Sequence, residues 1–252
     1  MAIQHPSAAT SPVPAAELRG VARRFGGKEA LSGLSLVVPR GILLGLLGPS
    51  GSGKTTLVKL LTGLDRADEG EAFVLGERMP RLSVLGRVGY MAQSDALYGE
   101  LTARDNLVFF GGLYGLSGKR LQERMEAVMS LVDLQAHLRK PVAAYSGGMK
   151  RRLSLAISLL HEPELLLLDE PTVGIDPVLR QSIWRELLRL RERGMTILLT
   201  THVMDEAERC DSLAFIREGR MTASGTPAEL MQRSGAQTIE QAFIVLGGGA
   251  TA

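Results

Sequence analysis

Cysteine is nearly missing from this sequence: Cys210 is the only one in 252 residues. An internal disulfide is therefore excluded, which suits a reducing compartment, and the lone thiol reads as a small buried hydrophobe. Histidine is scarce as well, and the four residues at 5, 137, 161 and 202 are too scattered to suggest a metal cluster. Long apolar runs are absent. Leu165 to Leu168 and Ala242 to Leu246 fall far short of the roughly 18 residues of a membrane span. Any membrane role is thus expected to come through a partner. The first fourteen residues carry no Lys or Arg and no apolar stretch, so they are not expected to be a secretory signal. They are rich in Pro, Ala and Ser, so 1–14 is expected to be disordered, and the glycine-rich end, 247–252, is expected to be a flexible tail. Charge of one sign is also lacking: 29 basic against 27 acidic residues give +2. That is not the basic surplus of a nucleic-acid binder, and no nucleic-acid partner is expected.

What the chain does have is 45% apolar residues, ample for a core, and one dominant stretch, Gly48-Pro49-Ser50-Gly51-Ser52-Gly53-Lys54-Thr55-Thr56. It follows an apolar run, Ile42 to Leu47, and precedes Leu57 to Leu61, which reads as helix. A G-x-x-x-x-G-K-[ST] match between strand and helix is a phosphate-binding loop. Glycines let several N–H groups converge on one anion, and the helix start adds its positive dipole end. Lys54 supplies a full charge to the β- and γ-phosphates, and the Thr55 hydroxyl is placed to ligate Mg²⁺. The bland alternative, a Gly/Ser turn, does not require all four fixed positions and both flanks. A nucleoside triphosphate is the expected ligand. Asn106 is the only asparagine, so no Asn-Lys-x-Asp guanine reader exists, which counts against a GTPase.

Glu17 to Phe25 and Ser35 to Val38 read as strands, joined through turns at Gly26-Gly27 and Gly33. Phe25, beside the turn, suits edge packing or adenine stacking equally. Glu71 to Val74 and Val88 to Met91 are further short strands. From about Gln93 the pattern turns helical: Thr102 to Tyr114, then Lys119 to Leu134 with Leu121, Met125, Val128 and Val132 on one stripe. Another helix starts near Ser146, so about 94–160 reads as a helical lobe inside an α/β core. Glu164 to Leu168 is a buried strand. Asp176-Pro177 opens a helix to about Arg193, whose Arg185, Arg189 and Arg193 form a solvated face. Thr196 to Thr200 is a strand, and Thr226-Pro227-Ala228-Glu229 is a capping box that starts a last helix.

Ligands of open α/β sheets bind beyond the carboxyl ends of the strands. The phosphate loop, Gln93, Asp169-Glu170 and His202 each follow a strand, so all four are expected at one edge. Asp169 then holds Mg²⁺ and Glu170 polarises the attacking water. His202 contacts the γ-phosphate or that water, unless it merely starts a helix. Gln93 is the weakest of the set, because polar residues often leave strands. Ser146 with Gly147 and Gly148 makes a helix cap and, equally, an anion site.

Taken in order, GPSGSGKTT at 48–56, Gln93, YSGGM at 145–149, LLLLDEPT at 165–172, GIDP at 174–177 and His202 resemble the ATP-binding cassette ATPases, over residues 17 to 235. The resemblance implies an α/β fold: a P-loop NTPase, RecA-like core with an inserted helical subdomain and an N-terminal antiparallel β portion, as one domain over 15–246. It implies ATP and Mg²⁺ as cofactors. Phe25 becomes the adenine-stacking aromatic, and Gly48, Ser50, Gly51, Gly53, Lys54, Thr55 and Thr56 the phosphate and magnesium cradle. Gln93 becomes the glutamine that senses Mg²⁺ and the membrane partner. Ser146, Gly147 and Gly148 become the signature that caps the γ-phosphate across a dimer. Asp169, Glu170 and His202 match the metal, general-base and switch-histidine positions, with Lys54 as the catalytic cation. Asp176 matches the D-loop aspartate and is also a helix cap. Tyr145 and Met149 replace the usual leucine and glutamine of the signature but leave its serine and glycines intact.

The wording YSGGMKRRLSLA, PTVGIDP and THVMDEAERCD, with FFGGLYGL, is similar to the exporter branch for drugs, antibiotics, lipids or polysaccharides, although Ser50-Gly51-Ser52 is less typical of it. The expected function is therefore the ATPase subunit of an exporter. Two copies, or one copy and a different second ATPase subunit, close around two Mg-ATP and drive a separate transmembrane permease subunit, with the chain cytoplasmic and peripheral on the inner membrane face. The alternative is a soluble cassette acting on ribosomes or DNA, whose relatives carry paired cassettes, coiled coils or zinc insertions that this sequence lacks.

Overall fold

The computed structural model describes residues 13–94 and 96–248. Of the stretches expected to be disordered or flexible, 1–12 and 249–252 lie outside the described residues. In chain order the structure runs β1 (Ala16–Phe25), β2 (Lys28–Val38), β3 (Leu43–Leu47), α1 (Lys54–Thr62), β4 (Glu69–Val74), β5 (Glu77–Arg78), α2 (Leu82–Leu85) and β6 (Val88–Met91). Next come α3 (Ala103–Leu113), α4 (Gly118–Leu131), two 3-10 turns and α5 (Gly147–Leu159). The chain continues through β7 (Leu165–Asp169), α6 (Pro177–Glu192), β8 (Thr196–Thr201), α7 (Met204–Ala207), β9 (Ser212–Arg217), β10 (Arg220–Gly225), α8 (Pro227–Ser234) and α9 (Ile239–Leu246).

Two sheets organise these elements. β2-β1-β4-β5 is antiparallel, and β10-β9-β3-β8-β7-β6 is parallel apart from its antiparallel edge strand β10. A parallel strand covered on both faces needs no polar alternation, and every residue of β3 and β7 is buried. Leu166 and Leu168 pack on the side of Trp184 and α5, whereas Leu165 and Leu167 pack toward α1 and the four-stranded sheet. Each such leucine contributes roughly 1.5–3 kcal/mol of burial. Gly45 in β3 admits the single cysteine: a Cβ there would stand 2.9 Å from Cys210 Sγ. Burial pushes the Cys210 thiol well above its ordinary range.

The predicted α/β core, helical insert and antiparallel portion are all present, with local differences. β2 begins at Lys28, so Gly33 is not a turn. It has φ +62 inside the strand, near a register shift in the β1–β2 ladder, where a bulge absorbs what looked like a chain reversal. The hairpin β9–β10 and the helix α9 are not anticipated by the sequence patterns. Asp176 does cap α6, its carboxylate accepting from Leu179 N at 3.0 Å. Among the described residues, no helix is long and apolar enough to cross a membrane.

Candidate active site

Strand register places the site. Leu47 pairs with Thr201, Asp169 with Thr200, and Met91 with Leu168. The phosphate loop, His202, Glu170 and Gln93 therefore leave one edge of the parallel sheet together.

The loop's glycines are required sterically. A Cβ on Gly48 would lie 2.3 Å from Ile216 O. At Gly53 it would lie 2.5 Å from Ala30 O, and φ there is +106. Gly53 caps α1 without any side-chain hydrogen bond, which leaves the helix's first N–H groups free to face an anion. Lys54 is buried, with Nζ donating to Gly48 O at 2.7 Å and Pro49 O at 3.1 Å. Burial lowers its pKa, opposed by the nearby Glu170 and Asp169. Ser50 and Gly51 are exposed on the loop, while Thr55 and Thr56 are half-buried in the first turn of α1.

At the end of β7, Asp169 is buried. Its Oδ1 accepts from Thr200 Oγ1 at 2.6 Å, and its Oδ2 has no hydrogen-bond partner among the described residues. A buried carboxylate oxygen left without a donor costs free energy unless a cation meets it. This acceptor, beside the all-oxygen set of Asp169 and the Thr55 hydroxyl, suits Mg²⁺, a hard cation. The residues fit the ion. Glu170 has φ +52, a left-handed backbone that non-glycine residues rarely adopt. Its N–H donates to Thr200 Oγ1 at 2.9 Å, and its Oε1 is 3.1 Å from His202 Nδ1. The structure thus brings Lys54, Asp169, Glu170 and His202 together.

Gln93 arrives at the same edge with an exposed side chain; its carbonyl accepts from Arg151 Nη1 at 2.9 Å. Ser146 caps α5, accepting from Met149 N at 3.3 Å. No hydrogen bond among the described residues joins Ser146, Gly147 or Gly148 to the phosphate loop. Phe25 is 48% exposed, with the Arg23 guanidinium 4.5 Å from its ring centroid. Arg23 is itself held by Asp65 and Asp68. Phe25→Ala is expected to weaken Mg-ATP binding by the worth of one stacked base, about 1–3 kcal/mol, with the maximal rate unchanged. Titration with ATP and GTP checks this; an unaltered affinity for both leaves Phe25 as edge packing.

Three further residues of the site carry no signal in the sequence patterns. Thr200 bridges Asp169 and Glu170. Glu206, only 2% exposed, accepts from Thr172 Oγ1 and Thr201 Oγ1 and so joins the segment after β7 to the one before His202. Arg151 reaches from α5 to the backbones of Ala92, Gln93, Asp169 and Glu170. A charge at helical spacing looks solvated in sequence; only the fold shows that this one is buried.

The family model described as ABC transporter matches residues 31–173. The Nod factor export ATP-binding protein I of Rhizobium sp. (strain N33) is 44% identical over 230 residues, covering 90% of this chain and 76% of that protein. The chain belongs to the ABC transporter family. It is an ATP-binding cassette. The probable multidrug ABC transporter ATP-binding protein YbhF of Escherichia coli (strain K12) is 40% identical over 97% of the cassette, which spans 44% of that relative's length. A solved ATP-binding subunit of an ABC transporter superposes with TM-score 0.85 at 28% identity, covering 92% of this chain and 99% of that one. The ADP- and Pi-bound dimer of the cassette MJ0796 shares the fold, with TM-score 0.78 at 24% identity, covering 84% of this chain and 98% of that one.

Proposed function

We propose that this cassette hydrolyses ATP as a subunit of an exporter, two copies closing around two Mg-ATP to drive a separate transmembrane permease subunit. The observation that carries this reading is the pairing of Glu170 with His202 at 3.1 Å, on the edge where the phosphate loop emerges and where Asp169 Oδ2 has no partner among the described residues. Lys54 and the α1 N-terminus bind the phosphates. Glu170 takes a proton from the attacking water, and His202, on Glu170 Oε1, holds that carboxylate toward the γ-phosphate. Thr55, Asp169 and Gln93 would hold Mg²⁺, which when bound neutralises charge on the β- and γ-phosphate oxygens. Ser146, Gly147 and Gly148 serve the nucleotide of the other copy, a role consistent with a helix start that makes no hydrogen bond to its own phosphate loop among the described residues. Asp176, exposed at the start of α6, is assigned to the same contact. The export role named for the Nod factor relative supports the transport direction.

The permease's docking face lies beside Gln93. Tyr98, Phe109, Val108 and Leu113 are exposed, and the Tyr98 and Phe109 rings meet edge to face at 4.9 Å. Asn106, fully buried, pins the loop to α3 by accepting from Tyr98 N at 2.9 Å and donating to Tyr98 O at 3.0 Å. Aromatic clusters of this kind anchor interfaces. Affinity capture of the chain from solubilised membranes is expected to recover a polytopic protein, and Y98D/F109D to lower that recovery roughly tenfold or more at unchanged soluble ATP turnover. Recovery of ribosomes or DNA instead establishes the soluble alternative. The chain accordingly sits in the cytoplasm, peripheral on the inner face of the membrane.

A further inference from the structure

Arg151 stands on α5, about one and a half turns beyond Ser146. Its side chain is driven inward: the residue is 6% exposed. Nη1 donates to Ala92 O at 2.7 Å and Gln93 O at 2.9 Å. Nη2 donates to Asp169 O and to Glu170 O, the latter at 2.6 Å. One guanidinium thus binds four backbone carbonyls on two loops, at the ends of β6 and β7. Both loops carry residues placed in the site.

The geometry at Glu170 gives this contact its significance. That residue holds a left-handed backbone, a conformation that persists only where its surroundings impose it. Thr200 Oγ1 fixes the N–H side and Arg151 Nη2 fixes the carbonyl side. The carboxylate direction follows from both. A planar fork with donors at fixed angles spans two loops in a way that a single ammonium cannot.

We infer that Arg151 is a positioning residue: it ties the signature helix to the backbones of Gln93 and Glu170, so that the face Ser146 presents to a second copy and the base of its own copy move as one body. This rests on the proposed dimeric ATPase and deepens it. A signal at the docking face beside Gln93, or at Ser146, reaches Glu170 through one side chain. Arg124 offers an internal control, since it donates to Leu159 O at 2.9 Å and Leu160 O at 3.0 Å and so grips the far end of the same helix without touching either loop.

The test uses the full chain with Mg-ATP and compares R151K, R151Q and R124K. In R151K and R151Q the maximal hydrolysis rate should fall roughly a hundredfold, the scale of a misplaced reacting group. Nucleotide affinity, measured by equilibrium binding of ATP without Mg²⁺, should stay within about threefold, because the phosphate loop is untouched. R124K should keep the parent rate, which separates positioning from helix stability. A parent-like rate in both Arg151 variants overturns the inference. So does loss of nucleotide affinity together with rate, or failure of both variants to fold, since either assigns Arg151 to folding alone. Dimerisation of E170Q in Mg-ATP is measured alongside: a monomer there defeats the dimeric reading, whereas a dimer with unaffected Arg151 variants defeats only this inference.

Discussion

Glu170→Gln is expected to cut ATP turnover by roughly two to four orders of magnitude while Mg-ATP still binds. The substitution keeps the shape of the side chain and removes its capacity to take a proton. Glu170 sits at the end of β7 with its N–H fixed by Thr200 and its Oε1 against His202 Nδ1. The amide can still meet the histidine, so the pocket should not collapse. Nucleotide contacts through Lys54 and the α1 N-terminus are unchanged, and binding energy confined to the closed state then accumulates without release. The variant should therefore be dimeric in Mg-ATP and monomeric without it. Single-turnover hydrolysis and solution scattering read the two halves separately. An unaltered turnover rate removes Glu170 as the base; full nucleotide occupancy with only monomers in solution removes the closed dimer.

Lys54→Met should act on the other half of the cycle, weakening Mg-ATP binding by roughly a hundredfold. Hydrogen bonds to a charged group are worth about 1.5–3 kcal/mol each, and each 1.4 kcal/mol is about tenfold in Kd. The same change should leave the melting temperature nearly unchanged, because relief of a buried charge is set against loss of the hydrogen bonds to Gly48 O and Pro49 O. Burial lowers the Lys54 pKa in the folded chain, against the pull of Glu170 and Asp169. A folded-state pKa below the unfolded one means that the unfolded chain binds the proton more tightly. The buried ammonium therefore costs stability below the folded pKa, and the cost is relieved as pH rises toward the ordinary lysine range. Methionine removes that charge and fills much the same volume. Calorimetric titration with Mg-ATP and thermal unfolding at neutral pH check both signs. Parent-like affinity would contradict the phosphate role, and a large fall in melting temperature would make Lys54 a structural residue.

Residues whose role follows from a local pattern are legible in the sequence itself. The phosphate loop is one, since strand, glycines, lysine and helix are contiguous. Asp169, Glu170 and His202 are legible because each follows a buried strand, and parallel strands share an end. Arg151 is not, because its partners lie 58 and 59 residues before it and 18 and 19 after it. Nor is Glu206, one acid in a short acidic helix, although it receives hydroxyls from the loop after β7 and from the end of β8. The β9–β10 hairpin is hard to read because its apolar run, Leu213 to Ile216, is four residues between polar neighbours. Its turn at Glu218-Gly219, both at positive φ, is the available signal. In α9, the Thr238 cap accepting from Gln241 N marks a start that the short run Ala242 to Leu246 does not suggest.

The buried thiol behind Gly45 has a practical corollary. Cys210 is the chain's sole sulfhydryl, buried beside Gly45 of β3, with ionisation suppressed by burial and by the neighbouring Asp211 and Glu206. Maleimide dyes therefore meet a surface with no competing nucleophile of their kind. A cysteine introduced at an exposed position outside the site, such as Leu82, can carry a donor fluorophore on one copy and an acceptor on the other without background labelling. The native sequence is already a blank slate for watching two copies approach each other in real time.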